Sequence, residues 1–313
     1  MGSISPEYPF VGRAIDIRQS NEQLDLKGAI LEGLHKRPQE LPAVLMWDDK
    51  GSEIYERLCE DPAYYPRSCE TEILQRYCAD MADTFSASSI LIELGCGNLQ
   101  KTSAILAALE AQKKQVLYYA VDISVDTLNR SLLDLSNRFC SSPTIRVTGL
   151  LGTYADCVEW VKSSFHSFST PNITFLWMGN TIANTEIEEA ASMLACFRQA
   201  CGGNCSFIFG ADTCSDISRI FGAYDDHPGP LHDIVANGMH AANRAIGHKV
   251  FKLEDWKVRV WQGTKINQLL SGKWSNEQIA FMSQLGGFTL TDSWIHSEGI
   301  YGFYRICAES PGA

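Results

Sequence analysis

Five short apolar runs alternate with amphipathic stretches through the middle of the chain, at residues 89–94, 115–121, 144–148, 173–178 and 206–209. Strands that are buried on both faces have nearly continuous apolar sequences, and parallel strands need helical connections that cover their sheet. The stretch 100–111 has the apolar spacing of such a helix, and another helix is expected after Asp122. The pattern therefore predicts an α/β fold with a parallel sheet.

Two more apolar runs, 289–296 and 301–307, lie near the C-terminal end of the sequence. The segment between them contains Ser297-Glu-Gly299, whose residue types favour a turn and therefore a β-hairpin. Five strand–helix units followed by an antiparallel hairpin have the strand order of a class I, Rossmann-like methyltransferase core. We therefore expect a seven-stranded sheet formed by residues 85–212 and 287–313.

The rest of the chain has a different texture. Residues 1–84 have the amphipathic spacing of helices, at 28–35, 52–59 and 70–85, and no alternating strand pattern. Residues 213–286 separate the fifth run from the hairpin and are too many for a simple loop. We expect this segment to form additional structure over the active face of the sheet.

Composition and charge narrow the class of protein. The chain has 313 residues, of which 45% are hydrophobic, so it can bury a sizeable core. Its formal net charge of −11 argues against a nucleic-acid partner or an anionic membrane surface, because phosphate binding needs a concentrated positive field. No apolar run has the length of a membrane span, and the segment MGSISPEYPF is not a signal peptide. We expect a cytoplasmic protein.

The cysteines do not predict a disulfide framework or a metal site. There are 11 of them, an odd number, scattered through presumed helices and strands. Cys201 and Cys205 are four apart, but no second pair of Cys or His residues follows at the spacing of a zinc site. Buried free thiols are therefore the favoured interpretation, and no metal is expected.

A glycine-rich turn that contains Gly95 and Gly97 follows the first apolar run. Open α/β sheets bind ligands at the carboxyl ends of their strands, and glycines allow the backbone to approach the ligand. A dinucleotide fingerprint needs a third glycine where this chain has Gln100. Asp122, at the end of the second run, can accept hydrogen bonds from both hydroxyl groups of a ribose. The shortened turn with this carboxylate favours S-adenosylmethionine (SAM) over NAD, and a dehydrogenase is the weaker alternative.

The same stretch, 93–102, ends in Lys101-Thr102 and resembles the Leu-Gly-Ser-Gly … Lys-Thr motif of the histidine-specific, SAM-dependent methyltransferase family. Four other segments resemble family motifs. Residues 47–55 resemble Tyr-Asp-x-x-Gly-Ser and 61–67 resemble Tyr-Tyr-Pro-Thr-Arg, whereas 179–184 resemble Gly-Ser-Thr-Ile-Gly-Asn and 223–226 resemble Ala-Tyr-Asp-Asp. The resemblance covers the chain from about residue 40 onward. Residues 151–160 are most similar to the fungal branch, which includes the 4-dimethylallyltryptophan N-methyltransferases of ergot-alkaloid biosynthesis.

The resemblance implies a methyltransferase core and an accessory substrate-binding domain, the latter formed by 1–84 and 213–286. It implies methylation of the α-amino nitrogen of a small-molecule amino acid, with SAM as the methyl donor and S-adenosylhomocysteine as the product. By position, six residues would hold SAM: Gly95, Gly97, Lys101, Asp122, Thr153 and Tyr154. Thr153 and Tyr154 stand where the family has Asp-Phe beside the adenine.

Three residues that match the family's substrate site are implied to be catalytic and to hold the amino and carboxylate groups of the substrate: Tyr64, Asn184 and Tyr224. Amide and hydroxyl groups can orient an amine and bind a carboxylate without adding charge. The structural alternative is that the two tyrosines only pack in the interior and that Asn184 caps a helix whose first turn carries Glu186.

The side-chain pocket departs from that of the histidine enzymes, which have Glu-x-Ser-x-Lys followed by an aromatic residue. The matching segment here is Leu269-Leu-Ser271-Gly-Lys273-Trp274, so an apolar side chain replaces the glutamate that grips the imidazole. Trp47 likewise replaces a tyrosine. We expect Trp47, Leu269 and Ser271 to line a pocket for an aromatic amino acid, above all a tryptophan derivative such as 4-dimethylallyltryptophan. The alternatives are a histidine methyltransferase that forms hercynine, and a non-catalytic SAM-binding pathway or regulatory protein.

Overall fold

A computed structural model describes residues 14–19, 25–37, 39–97, 99–164, 172–224, 229–252, 266–267 and 270–309. Leu269, which the sequence assigns to the substrate pocket, lies outside these residues. Within the described ranges, no helix is both long enough and apolar enough to cross a membrane.

Ten strands are described: β1 (Ala14–Asp16), β2 (Gln39–Glu40), β3 (Ser88–Leu94), β4 (Gln115–Asp122), β5 (Ile145–Leu151), β6 (Ile173–Trp177), β7 (Cys205–Asp212), β8 (Ile266–Asn267), β9 (Phe288–Ile295) and β10 (Tyr301–Ala308). Eight of them form the main sheet, in the order β1-β5-β4-β3-β6-β7-β10-β9. Its neighbouring strands are parallel, except that β10 is antiparallel to both β7 and β9. β2 and β8 form a separate parallel pair.

The described residues also form ten α-helices: α1 (Leu26–His35), α2 (Asp49–Glu60), α3 (Tyr65–Asp83), α4 (Gln100–Ala111), α5 (Val125–Phe139), α6 (Tyr154–Ser164), α7 (Ile187–Ala200), α8 (Ile217–Tyr224), α9 (Pro230–Ile246) and α10 (Asn276–Leu285). Two short 3₁₀ helices, Ala43–Met46 and Thr181–Asn184, complete the helical structure. The helices α4 to α7 connect successive parallel strands, as the alternating sequence pattern predicts.

β3 is the strand at which the order of the sheet reverses, because it lies between β4 and β6. Its residues after Ser88 are all buried, and so are all residues of β6 and β7. This burial explains the continuous apolar runs in the sequence. The carboxyl ends of β3 and β4 consequently border the crevice in which open α/β sheets bind ligands.

The predicted fold class is confirmed, and the predicted number of strands is corrected from seven to eight. The additional strand is β1, which pairs in parallel with β5. A Cβ atom on Gly149 would clash with Leu132 Cδ1 of α5 and lie 3.3 Å from the Cα atom of Ala14, so the glycine leaves room for the helix and for β1. Three residues with half-buried or exposed side chains carry no recognisable strand pattern, so the sequence of residues 1–84 gave no sign of this strand.

Three helices begin earlier than the sequence predicts, and α1 does so by two residues, at Leu26. α3 begins at Tyr65, although residues 61–66 have the composition of a loop and the helix was expected from residue 70. Pro66 is tolerated because backbone N–H groups of the first helical turn have no partner within the helix. α2 begins at Asp49 rather than at residue 52, and the side chain of Asp48 caps it by accepting a hydrogen bond from the Gly51 N–H.

The segments on either side of the core contact each other outside the main sheet. β2 pairs with β8, and α9 packs against α1, α2 and the 3₁₀ helix Ala43–Met46. A small separate core joins the two segments and consists of Ile30, Leu41, Leu45 and Ala242. These contacts are those expected of an accessory domain formed by parts of 1–84 and 213–286. Three elements of the two segments lie against the core instead: β1 pairs with β5, α3 packs against α4 and β10, and α10 packs against α7 and β9. The partition itself stays a prediction.

Candidate active site

The glycine-rich turn begins directly after β3, at the carboxyl edge of the sheet. Gly95 has a φ of +69° and Gly97 a φ of +53°, backbone conformations that L side chains rarely adopt. A Cβ atom on Gly95 would lie 2.9 Å from the hydroxyl oxygen of Tyr154, whereas one on Gly97 would meet no atom within 4 Å. The turn therefore needs glycine at both positions, and it leaves open space beside Gly97.

Asp122 faces this turn from the end of β4. Its Oδ2 atom accepts a hydrogen bond from the Gly97 N–H at 3.3 Å, and Oδ1 accepts one from the Ser124 N–H at 3.0 Å. Burial raises the pKa of the Asp122 carboxyl above its ordinary range, although these backbone donors oppose the shift. The structure thus brings together Gly97 and Asp122, two of the residues expected to hold SAM.

Thr153 and Tyr154 lie at the start of α6 and have different roles. Thr153 Oγ1 accepts a hydrogen bond from the Asp156 N–H at 3.2 Å, so this side chain caps the helix. The Thr153 hydroxyl and N–H groups in turn donate to Asp156 Oδ2, at 2.7 and 2.8 Å. The ring of Tyr154 packs edge-on against Trp177 with 5.3 Å between centroids, and its hydroxyl reaches Gly95. In these contacts the Tyr154 side chain borders the glycine-rich turn, whereas the Thr153 side chain contacts Asp156.

Lys101 is paired with a carboxylate that the sequence did not single out. Its Nζ atom lies 2.6 Å from Glu70 Oε2, in a pair that is largely buried. The other oxygen of Glu70 accepts hydrogen bonds from the Gly179 N–H at 2.7 Å and from the Tyr301 hydroxyl at 2.8 Å. Glu70 therefore connects α3, α4, β10 and the turn after β6, and it fixes the position of Lys101.

The predicted substrate residues Trp47, Tyr64 and Tyr224 belong to one row of aromatic rings. Trp47 packs on Tyr55 with 5.4 Å between centroids, Tyr55 on Tyr64 with 6.4 Å, and Tyr64 on Tyr224 with 5.9 Å, each pair in edge-to-face geometry. Burial raises the pKa of both Tyr55 and Tyr64 well above the ordinary value, so both remain neutral. Sequence reasoning missed Tyr55, although it lies within a segment that resembles a family motif.

Asn184 ends the 3₁₀ helix Thr181–Asn184 and is half-buried. Its side chain makes no hydrogen bond with the described part of the chain. The alternative that it caps α7 is wrong, because the N-cap of that helix is Glu186. The preceding carbonyl group, that of Ala183, accepts a hydrogen bond from the Gly272 N–H at 2.7 Å, which joins this turn to the segment around Ser271.

Ser271 contacts the predicted catalytic Tyr224 directly, with 3.0 Å between the two hydroxyl oxygens. The amide of Asn180 donates to Ser271 Oγ at 3.3 Å, and its Oδ1 accepts from the Asp212 N–H at 2.9 Å. Asn180 has a φ of +57° and lies inside the 179–184 segment, but the sequence analysis selected Asn184 from it. The two asparagines differ. The Asn180 side chain links Asp212 to Ser271 by hydrogen bonds, whereas the Asn184 side chain makes no hydrogen bond with the described residues.

The model of the histidine-specific, SAM-dependent methyltransferase family matches residues 26–262, more than half of the chain. The chain belongs to this family. Residues 26–262 include the glycine-rich turn, Asp122, Asn184 and Tyr224 but end before Ser271. Members of this family depend on SAM, so SAM is the methyl donor of this protein and is converted to S-adenosylhomocysteine.

Curated relatives of the chain come from fungi. N-methyltransferase imqF of Aspergillus flavus is 34% identical to it over 96% of this chain and 90% of the relative. The 4-dimethylallyltryptophan N-methyltransferase easF of Epichloe festucae var. lolii is 30% identical over 77% of this chain and 74% of the relative. Ergothioneine biosynthesis protein 1 of Neurospora crassa is 33% identical over 78% of this chain and 27% of the relative. The protein is accordingly a SAM-dependent N-methyltransferase.

The residues at the edge of β3 and β4 fit this cofactor. The open space beside Gly97 admits a ligand close to the backbone, and the Asp122 carboxylate can accept hydrogen bonds from ribose hydroxyls. Among the described residues, no group of three or more His, Cys, Asp or Glu side chains could hold a metal ion.

Proposed function

We propose that this N-methyltransferase acts on the α-amino nitrogen of an aromatic amino acid, and that its preferred substrate is a tryptophan derivative such as 4-dimethylallyltryptophan. The observation that carries the proposal is the row of rings formed by Trp47, Tyr55, Tyr64 and Tyr224. Aromatic side chains bind another aromatic ring through edge-to-face contacts and apolar burial, and they impose no charge on it. An indole fits such a wall better than a protonatable imidazole does.

The polar groups beside this row suit the other end of an amino acid. Within the described residues the Asn184 side chain has unused donor and acceptor groups, and the Tyr224 and Ser271 hydroxyls lie 3.0 Å apart. These groups can bind the amino and carboxylate groups of the substrate without acting as nucleophiles themselves. SAM supplies an electrophilic methyl group bonded to a sulfonium sulfur. The protein therefore has to orient the amine and exclude water, which together provide most of the acceleration in such a transfer.

The substrate amine must lose its proton before it can attack. The α-amino group of a peptide has a pKa of about 8 and that of a free amino acid is somewhat higher, so only a minor fraction of the substrate amine is neutral near physiological pH. Asn184 can accept a hydrogen bond from the neutral amine, through its carbonyl oxygen, and so direct the nitrogen lone pair. Tyr64 stays protonated because of its burial and acts in this proposal as a neutral wall and hydrogen-bonding group.

The relatives support substrates of this class. One is named a 4-dimethylallyltryptophan N-methyltransferase and another an ergothioneine biosynthesis protein. Histidine is the second candidate, and the observation that favours it is Ser271, which the histidine enzymes also have in their pocket motif. The replacement of the motif's glutamate by Leu269 favours the indole substrate.

The experiment is mass spectrometry of products after the purified protein is incubated with SAM and four amino acids: histidine, tryptophan, tyrosine and 4-dimethylallyltryptophan. We expect a methylated indole amino acid. Methylated histidine as the main product would replace the proposal with hercynine formation. SAM binding without any methylated product would favour the non-catalytic alternative.

A pair of variants tests the pocket. Leu269→Glu restores the family's acidic residue, so we expect the ratio of histidine to tryptophan methylation to rise at least tenfold. Leu270→Glu, the same change at the neighbouring, exposed position, is the matched control and should leave the ratio unchanged. An equal effect of the two variants would mean that Leu269 is not the pocket residue.

A further inference from the structure

The ammonium group of Lys273 lies within a cluster of acceptors next to Tyr224. Its Nζ atom is 2.9 Å from Ser271 Oγ, 3.2 Å from the Ser271 carbonyl oxygen and 3.3 Å from Tyr224 Oη. It also pairs with Asp212 Oδ2 at 3.2 Å and lies 4.3 Å from the centroid of the Tyr224 ring. An ammonium group has three protons, and four acceptors surround this one, so Lys273 has no proton left for a substrate.

Asp212 holds Lys273 at the ligand-binding edge of the sheet. It is the last residue of β7 and is fully buried. Its Oδ2 atom accepts a hydrogen bond from the Tyr65 hydroxyl at 2.6 Å, and its carbonyl oxygen accepts one from the Trp274 N–H at 2.9 Å. The segment that contains Lys273 is thus attached to the end of a core strand by an ion pair and a backbone hydrogen bond.

The hydrogen bonds of Ser271 and Tyr224 have a single consistent direction. Asn180 uses its Oδ1 atom for the Asp212 N–H, so its amide nitrogen is the atom that donates to Ser271 Oγ. Asn180 and Lys273 together occupy both lone pairs of that hydroxyl, and Ser271 must therefore donate to Tyr224 Oη. Tyr224 Oη then accepts from Ser271 and lies 3.3 Å from the Lys273 ammonium nitrogen, so its own O–H proton is directed out of the cluster.

We propose that Lys273, fixed by Asp212, is a positioning residue that makes the Tyr224 hydroxyl the hydrogen-bond donor to the α-carboxylate of the substrate. This inference rests on the proposed function, because it requires an amino-acid substrate. An outward O–H suits a carboxylate oxygen, whereas the same bond to the amine would occupy the lone pair that attacks the methyl group. A chain of hydrogen bonds that starts at a cation also strengthens the donor at its end.

The orientation of the Lys273–Asp212 ion pair acts in the same direction. Its positive member, the ammonium nitrogen, lies 3.3 Å from Tyr224 Oη, so an anionic carboxylate next to that hydroxyl is favoured over a protonated amine. The amino group of the substrate is then left on the side of Asn184. Lys273 thereby determines which end of the amino acid faces the methyl donor, although it does not touch the substrate.

The test compares an amino acid with the amine that lacks its carboxylate, such as tryptophan with tryptamine. The measured quantity is acid preference, the ratio of kcat/KM for the acid to kcat/KM for the amine, using the amino acid on which the wild type is most active. We expect the wild type to prefer the acid. Lys273→Met should lower this preference at least tenfold, through a higher KM for the acid and an unchanged KM for the amine.

Three further variants separate positioning from a merely structural role. Tyr224→Phe should lower acid preference to the same extent, and adding Lys273→Met to it should lower acid preference no further, because both act through one hydroxyl. Lys273→Gln keeps hydrogen-bond donors without the charge and replaces Lys273→Met if that variant no longer binds S-adenosylhomocysteine. Arg305→Met removes a cation that pairs with Asp292 between β9 and β10, and it should leave acid preference unchanged.

The outcomes distinguish this inference from the proposed function. Methylation of amino acids by the wild type, with an acid preference that the Lys273 variants retain, overturns the inference alone. Effects of Lys273→Met and Tyr224→Phe that multiply would also overturn it, because Lys273 would then act independently of the hydroxyl. A wild type that methylates tryptamine but no amino acid refutes the proposed function, and the inference fails with it.

Discussion

Glu93 is a buried residue of β3, two positions before Gly95 of the glycine-rich turn. Its Oε2 atom accepts hydrogen bonds from the hydroxyls of Thr102 and Tyr118. Burial nevertheless dominates and raises the pKa of Glu93 from an ordinary 4.5 to about 7. The folded protein therefore keeps this proton in a range of pH where the unfolded chain has lost it.

The sign of the resulting pH dependence follows from the order of the two pKa values. Because the folded state has the higher pKa, it binds more protons between pH 4.5 and 7, and the free energy of unfolding falls as the pH rises through this window. The difference between a pKa of 4.5 in the unfolded chain and about 7 in the folded protein lowers the free energy of unfolding by about 3 kcal/mol above pH 7, relative to its value at low pH. At pH 5 the same relation lowers the free energy of unfolding by only about 1 kcal/mol.

Glu93→Gln removes this titration and keeps an oxygen that can accept both hydroxyl hydrogen bonds. We therefore expect the variant to exceed the wild type in unfolding free energy by about 3 kcal/mol at pH 8 and by about 1 kcal/mol at pH 5. Urea unfolding followed by tryptophan fluorescence at the two pH values measures the difference. Glu53→Gln, at an exposed position of α2, is the control and should show the same difference from wild type at both. A Glu93→Gln difference that does not grow between pH 5 and pH 8 refutes the reasoning.

Three other substitutions test the site. Asn184→Ala should lower kcat/KM for the amino acid at least tenfold, by product mass spectrometry, with SAM affinity unchanged in calorimetry; normal turnover would exclude Asn184 from the site. Asp122→Asn should weaken SAM binding at least tenfold in the same titration, because a charged acceptor is lost; wild-type affinity would contradict this. Gly95→Ala should cost about 1 to 2 kcal/mol in urea unfolding, given its φ of +69°. Gly222→Ala, with open space around it, is the control for Gly95 and should cost nothing.

The sequence predicted the fold correctly where a residue pattern has only one structural explanation. Buried parallel strands require apolar runs, so β3 to β7 were predicted close to their true bounds. The glycine-rich turn and Asp122 follow consecutive strands, and parallel pairing necessarily brings the ends of those strands together. β1 was missed because three residues carry no periodicity and are ordered only by pairing with β5. The start of α3 was missed because Tyr65 and Pro66 also have the composition of a turn.

Side-chain pairs that join distant segments had no local signal. Glu70 meets Lys101, and Asp212 meets Lys273, only after the sheet and its accessory segments have assembled. A buried glutamate in a polar stretch of helix is indistinguishable in sequence from a solvated one. Asn180 was overlooked for a related reason, since the choice between it and Asn184 depends on which side chain has its hydrogen bonds filled within the described structure.

The three-way contact of Glu70 has a consequence for recombining this protein with its relatives. The carboxylate receives a proton donor from α4, one from the turn after β6 and one from β10, which come from positions 101, 179 and 301. A chimera whose crossover falls anywhere between residues 70 and 301 inherits the carboxylate from one parent and at least one donor from the other. Such hybrids keep all three hydrogen bonds only when their parents share the side chains at 70, 101 and 301 and the backbone conformation at 179. The contacts of Glu70 therefore limit how freely substrate specificity can be transplanted within the family.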